Sequence, residues 1–484
     1  MERHRNAMTV PVSTSDRELI RSPRSGAGSR LSYPLTYSIV FILIFLVLGG
    51  YLPTESTRVS SMQSTTSSSD TILGQLFQGA TWILASALML QCRKQIFQLC
   101  LQMNIIVCLS LLAIFSAAWS QDPANSLRRG IFLLLGTMFA FYLMRRFRVE
   151  QLGQIIVIAG VIAGGAGILV SIGLPSYGRD NFNGGAWQGI FRSKNGCAQI
   201  MLFFLSAAIC FRFNSPGMKR LRLLLYPMSF LLILMSKAKT AYMMVPGLFL
   251  LIIFLRALRR FDRRNTIFII GAATTLLIVG SFAMPSITPI LLGLIGKDPE
   301  MSGRLPLWKA VIASAIKHPL LGYGYSAFWT GLRGESLNVY IGTHFEIYQA
   351  QNGLLEVWLE LGLVGVVLVL FTFIQAAKDA LICLQYDYSP VTNWYVSLFV
   401  LTVIYNIDET FLVSAHSLPW LLYIVACTGL ADRSRHLRNA VAARRLQSYF
   451  DQRSACASVA YTCGGISGVS PYALNKSSQR NAQR

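Results

Sequence analysis

Five cations and a few of their neighbours are the residues of this chain best suited to chemistry: Arg192, Lys194, Lys237, Lys239 and Arg304. Arg304 follows Ser302-Gly303 and precedes Leu305, Trp308, Ile312, Ala315 and Ile316, apolar positions at helical spacing. That spacing predicts a helix lying along a membrane interface, with Pro306 in its first turn, Lys309, Lys317 and His318 toward its polar side, and Pro319 with Gly322 ending it. An arginine at such an N-terminus joins the backbone N–H groups and the helix dipole in favouring an anion, so a phosphate or diphosphate is the natural guest. The alternative role is an arginine that snorkels to lipid headgroups. Arg192 and Lys194 stand in a run from Gly184 to Gly196 that also holds Trp187 and Phe191, directly before an apolar stretch. Its glycines allow close approach of backbone to a ligand, while its aromatics also suit an interfacial belt. Lys237 and Lys239 flank Ala238 in a short turn. Together these sites hold enough positive charge for a pyrophosphate-bearing lipid.

The elements that must position them are membrane spans. The chain has 484 residues, of which 53% are hydrophobic and 13% charged, which describes a polytopic membrane protein. Apolar runs of roughly 17 to 25 residues, long enough to cross a hydrocarbon core of about 30 Å as helices, recur along it. They predict about twelve spans, at 34–52, 72–92, 99–119, 130–144, 152–174, 197–211, 221–235, 240–256, 266–284, 354–375, 391–408 and 415–431. A barrel is excluded by the absence of short alternating segments. The expected fold is an all-α membrane bundle with one large outer loop containing the interfacial helix. Its parts are a basic tail (1–33), nine spans (34–284), the loop (285–353), three spans (354–431) and a second basic tail (432–484).

The formal net charge of +22 is distributed on alternate loops, the pattern that orients membrane proteins rather than one that binds nucleic acid. Arg93-Lys94, Arg145-Arg146 with Arg148, Arg212, Lys219-Arg220 with Arg222, the run from Arg256 to Arg264, Lys378 and both tails fall on one side, with about 30 of the 43 Lys and Arg. That side is expected to be the cytoplasm, with both termini inside and anionic lipid as neighbour. The first span reads as an uncleaved anchor. Loops 53–69, 121–129, 175–196, 236–240, 285–353 and 406–417 then face outward, and the chemistry-bearing residues all lie on them. The nine cysteines sit in or beside spans or in the inner tail and imply no disulfide framework. The tails are expected to lack a core of their own. The spans read as nearly free of ionisable residues, which favours surface chemistry over translocation.

With these residues in view, the chain resembles the O-antigen ligase and Wzy-type polymerase superfamily, most closely its rhizobial-type exopolysaccharide polymerases. The stretch from Ala186 through Trp187, Gly189, Phe191 and Lys194 to Asn195 is similar to that branch's Trp-x-Gly-x-Phe-x-x-Lys-Asn signature. Gly303-Arg304 with Trp308, then His318-Pro319 to Tyr325 and Phe328-Trp329, resemble its Gly-Arg and Pro-x-x-Gly-x-Gly elements. Gln351-Asn352-Gly353 through Glu360-Leu361-Gly362 and Gly365 is similar to the stretch that begins His-Asn in the family. Trp119 to Arg129, and Asn406 with Glu409, are further marks.

The resemblance implies a glycosyltransferase of the bacterial inner membrane that uses no metal and no cofactor. Its substrates would be a lipid-linked oligosaccharide donor on undecaprenyl diphosphate and a lipid-linked acceptor, with flippase and chain-length or export proteins as partners and no nucleic acid. Arg304 is expected to grip the diphosphate, with Arg192, Lys194 and Lys239 in support, and Trp187, Trp308 and Tyr325 to bind sugar or pack at the interface. Two positions depart from the family: Lys239 stands where an arginine is usual and Gln351 where a histidine is usual. Glutamine cannot take up a proton, so Gln351 would position the acceptor hydroxyl, and His344 would replace it as general base ahead of Glu346 and Glu356. Alternatives are a ligase, a lipid-linked sugar transporter and a non-catalytic assembly partner.

Overall fold

Helices dominate the computed structural model, which describes residues 33–48, 72–180, 184–258, 304–331, 333–343 and 347–463. In chain order they are α1 (Tyr33–Val47), α2 (Ile72–Leu90), α3 (Arg93–Gln102), α4 (Asn104–Phe115), α5 (Pro123–Arg146), α6 (Val149–Gly173), α7 (Pro175–Gly178), α8 (Lys194–Cys210), α9 (Pro216–Met235) and α10 (Lys239–Ala257). After them come α11 (Arg304–Ala315), α12 (Ser336–Thr343), α13 (Gly353–Tyr386), α14 (Pro390–Asp408) and α15 (Leu418–Cys463). The expected span at 266–284, residues 285–303 of the large loop, His344 and Glu346 lie outside the described residues, as do most of the N-terminal tail and the last residues of the C-terminal one.

Among the described residues, α5, α6, α10, α13 and α14 are by themselves long and apolar enough to cross a bilayer, and a sixth span results if α3 and α4 count as one. Those two meet at 95°, so the straight span expected at 99–119 is instead a bent pair. The expected outer loop 121–129 is mostly helix, because Asp122 caps α5 by accepting a hydrogen bond from Asn125 N at 3.1 Å and Pro123 fits the first turn. A further departure is a two-residue antiparallel ladder, β1 (Arg179–Asp180) with β2 (Ala186–Trp187). The second basic tail, expected to lack a core of its own, continues α15 as helix to Cys463.

The feature that most shapes the surroundings of α11 is a break in α13. Gly362 adopts φ 67° and ψ −170°, interrupting a 34-residue helix. Backbone groups freed by such a break need partners. The segment after α11 supplies them: Leu363 N donates to Pro319 O at 2.8 Å, Tyr323 N to Leu359 O at 2.9 Å and Gly324 N to Glu360 O at 3.0 Å. Leu307, Val311, Tyr323, Phe328, Trp329, Ala350 and Leu359 pack into one buried cluster around this crossing, which fixes α11 against α13.

The expectation that spans are nearly free of ionisable groups is corrected here: α13 buries Glu356, Glu360 and Asp379. The carboxylates lie toward its two ends, and from Gly362 to Ala377 the helix carries no ionisable residue. A side chain at Gly362 has no room, since its Cβ would lie 2.1 Å from Leu320 O at a positive φ. Gly362→Ala is therefore expected to cost about 2–4 kcal/mol in denaturant unfolding. Gly247→Ala, in α10 with nothing within 4 Å of its added Cβ, serves as the near-neutral control.

Candidate functional site

Three helix beginnings meet one helix end. Asp408 is the last residue of α14, and its carboxylate accepts from Thr240, the second residue of α10, and pairs with the Arg304 guanidinium that opens α11. Glu409, immediately after α14, accepts from Asn195 Nδ2 in the first turn of α8 at 2.6 Å. A carboxylate at a helix C-terminus opposes that helix's dipole, so Asp408 and Glu409 are favoured here by the positive ends of α8 and α10 and by Arg304. The local sequence sets these ends. Ser193 caps α8 by accepting from Gly196 N at 3.0 Å, and Asn352 caps α13 by accepting from Leu354 N and Leu355 N at 3.1 Å.

Arg304 Nε donates to Gln351 Oε1 at 3.2 Å, while Nη1 faces Asp408. Burial lowers the arginine from its ordinary value, opposed by the Glu409 charge, yet a guanidinium stays protonated throughout the physiological range. Glu409 moves the other way: burial raises its carboxyl above the usual range, with Asn195 and Arg304 pulling back. Gln351 sits at φ 50°, the left-handed region uncommon for residues with a side chain. Asn352 Nδ2 ties the same turn to Ile407 O at 3.2 Å.

The structure thus brings Arg304 and Gln351 into contact and sets Lys194 and Lys239 one residue from Asn195 and Thr240. Lys239 and Arg192 are exposed and Lys194 is half-buried. Lys237 donates to Gly184 O at 2.8 Å, joining two of the loops expected on the outward face. The aromatic candidates are placed differently from a sugar platform. Tyr325 is 2% exposed, its hydroxyl donating to Val413 O at 2.7 Å and accepting from Ala415 N at 3.0 Å. Trp187 is buried under the Arg179 guanidinium. Trp308 stays half-exposed and donates through Nε1 to Ala350 O at 3.1 Å. Tyr325 and Trp187 are therefore packing residues in this conformation, because burial of their rings outweighs display to solvent. His416, between α14 and α15, is buried among the rings of Phe45, Trp82 and Phe132 with its Nε2 3.1 Å from Gln78 Nε2, so it is not displayed to a substrate.

Sequence reasoning missed Asp408 and Thr240 and gave Glu409 and Asn195 no role. A signal was present: adjacent acids at the end of an apolar span, in a chain with 21 Asp and Glu against 43 Lys and Arg, mark a counterion for an arginine nearby. Removing Asp408 alone leaves Arg304 without that counterion. Because the two side chains keep 19% and 21% exposure, Asp408→Ala is expected to cost about 1–3 kcal/mol rather than the full value of a dry pair. The Arg304→Ala/Asp408→Ala double variant should lose less than the sum of the singles in denaturant unfolding. Strict additivity would show that the two are not coupled.

Comparison with known proteins joins this geometry to a family. The sequence profile of the O-antigen ligase family matches residues 223–370, which include Lys237, Lys239, Arg304 and Gln351. The chain is also 28% identical over 286 residues to the exopolysaccharide production protein ExoQ of Rhizobium meliloti (strain 1021), a match covering 56% of this chain and 63% of that protein. The chain thus matches less than two thirds of that relative's length. A helical bundle with apolar spans and a polar end built around Arg304 accompany these two matches, and the chain is thus similar, over the residues matched, to the O-antigen ligase family and to a rhizobial exopolysaccharide production protein.

Proposed function

We propose that this protein polymerises exopolysaccharide repeat units, transferring a glycan from an undecaprenyl-diphosphate donor to a sugar hydroxyl of a second lipid-linked chain at the outer face of the bacterial inner membrane. The observation that carries the reading is that α8, α10 and α11 each open on a cation, Lys194, Lys239 and Arg304, and that their beginnings converge on the end of α14. A cation in a first turn opposes the helix dipole by about 0.3–1 kcal/mol, so three gathered at one place run against local preference. Two carboxylates, Asp408 and Glu409, offset part of this charge, and a diphosphate offsets the helix ends and side chains together.

The chemistry asks for those ingredients. A glycosyl diphosphate carries its own leaving group, so the protein has to neutralise charge developing on the diphosphate and orient the acceptor hydroxyl. Arg304 grips the diphosphate, sharing its guanidinium with Asp408 or exchanging that partner for phosphate oxygens. Lys194, Lys239 and Arg192 add charge, Gln351 orients the guanidinium and the acceptor, and Trp308 is the aromatic left open to a sugar face. His344 acts as the base. Neither metal nor nucleotide sugar enters this scheme.

Ligation of a finished glycan to another acceptor is a second reading, favoured by the O-antigen ligase family match. Transport is disfavoured by the apolar middle of α13. Reconstitution of the purified protein with a lipid-diphosphate-linked oligosaccharide, scored as a ladder on a gel, tests the proposal. Wild type should extend chains, Arg304→Ala should reduce the rate by at least about 10²-fold, and Gln351→His should accelerate it. A single transfer to a different acceptor, with no ladder, would favour ligation. Full polymer from cells whose sole copy carries Arg304→Ala would favour a non-catalytic assembly partner.

A further inference from the structure

We infer that Glu356 is a positioning residue that holds Gln351 against Arg304, an inference that rests on the reading of Arg304 as the diphosphate-binding group. Glu356 lies in the first turn of α13 and is 7% exposed. Both of its oxygens are engaged: Oε1 accepts from Trp329 Nε1 at 2.7 Å, and Oε2 accepts from Ala350 N at 2.6 Å. Ala350 O in turn accepts from Trp308 Nε1, one helical turn after Arg304. The backbone of Ala350 is therefore clamped through its N–H by α13 and through its carbonyl by α11.

The next residue is Gln351, held at φ 50°. Such a conformation costs about 1–3 kcal/mol for a residue with a side chain and persists only where its surroundings over-determine it. Here the clamp at Ala350 precedes it and the Asn352 cap follows it. The turn delivers Gln351 Oε1 to Arg304 Nε. A carboxylate suits the clamp because it offers two acceptor oxygens to two N–H donors. Glutamine offers one acceptor, and its NH2 would confront either Trp329 Nε1–H or Ala350 N–H.

The test uses the full-length protein in lipid nanodiscs, comparing wild type, Glu356→Gln, Gln351→Ala and the double variant by hydrogen exchange and by donor-dependent polymer synthesis. Glu356→Gln should accelerate amide exchange over 350–352 by about ten-fold or more while leaving α10 unchanged. It should raise the KM for the lipid-diphosphate donor by about ten-fold, with no further rise in the Gln351→Ala background. Unchanged exchange at 350–352, or additive effects of the two substitutions, would overturn the inference. Failure of the wild type to use any lipid-diphosphate donor would instead sink the proposed function, and the exchange result would still decide whether Glu356 holds the turn. Should Glu356→Gln not fold, Trp329→Phe removes one donor to the carboxylate and retains an aromatic ring. Faster exchange at 350–352 in that variant supports the clamp, and unchanged exchange overturns it.

Discussion

A guanidinium at the edge of an apolar bundle has to be accompanied by an acceptor, and the pairing of Arg304 with Asp408 meets that demand. The rest of that end of the bundle is organised by it. Asp408 terminates α14, the most enclosed of the candidate spans, so the counterion is carried on a rigid element rather than on a loop. Thr240 brings the start of α10 to the same carboxylate, and Asn195 brings the start of α8 to the adjoining Glu409. Positive helix ends, cations and two acids then stabilise one another, although each cation placed at a helix start is unfavourable taken alone.

Holding α11 against that end requires backbone that is not helical, which an apolar environment tolerates only where protein supplies the hydrogen bonds. The break at Gly362 and the crossing segment 319–324 solve the problem for each other, with carbonyls and N–H groups of one satisfying those of the other. Trp119 Nε1 adds a bond to Leu321 O at 3.0 Å, and Gln121 N one to Tyr323 O at 3.1 Å, so the turn before α5 is tied into the same knot of backbone. Glycine is needed at 362 because the positive φ coincides with contact against Leu320 O.

The aromatic residues show where local reading loses its grip. Tyr323, Tyr325, Phe328 and Trp329 form a polar-looking aromatic run in the sequence, and a run of that kind suits both a sugar platform and a core. The structure takes them as core, burying each ring, and the three that carry a polar atom spend it on a neighbour: Tyr323 on Ser314 O, Tyr325 on Val413 O, Trp329 on Glu356. No spacing rule separates those outcomes, since the partners lie from 9 to 88 residues away.

By itself the sequence determined the helical membrane class and the approximate bounds of most described helices, and it singled out Arg304 and Gln351, which the structure brings into contact. Hydrophobic run length, capping residues and turn chemistry are local properties, and a family likeness is carried by residues in order. Only the tertiary structure decided that α3 and α4 bend, that α13 breaks at Gly362, that its carboxylates are buried, and that Asp408 and Thr240 complete the setting of Arg304. Those outcomes depend on which distant groups satisfy a buried charge or a freed backbone hydrogen bond, and that pairing is fixed by packing in three dimensions.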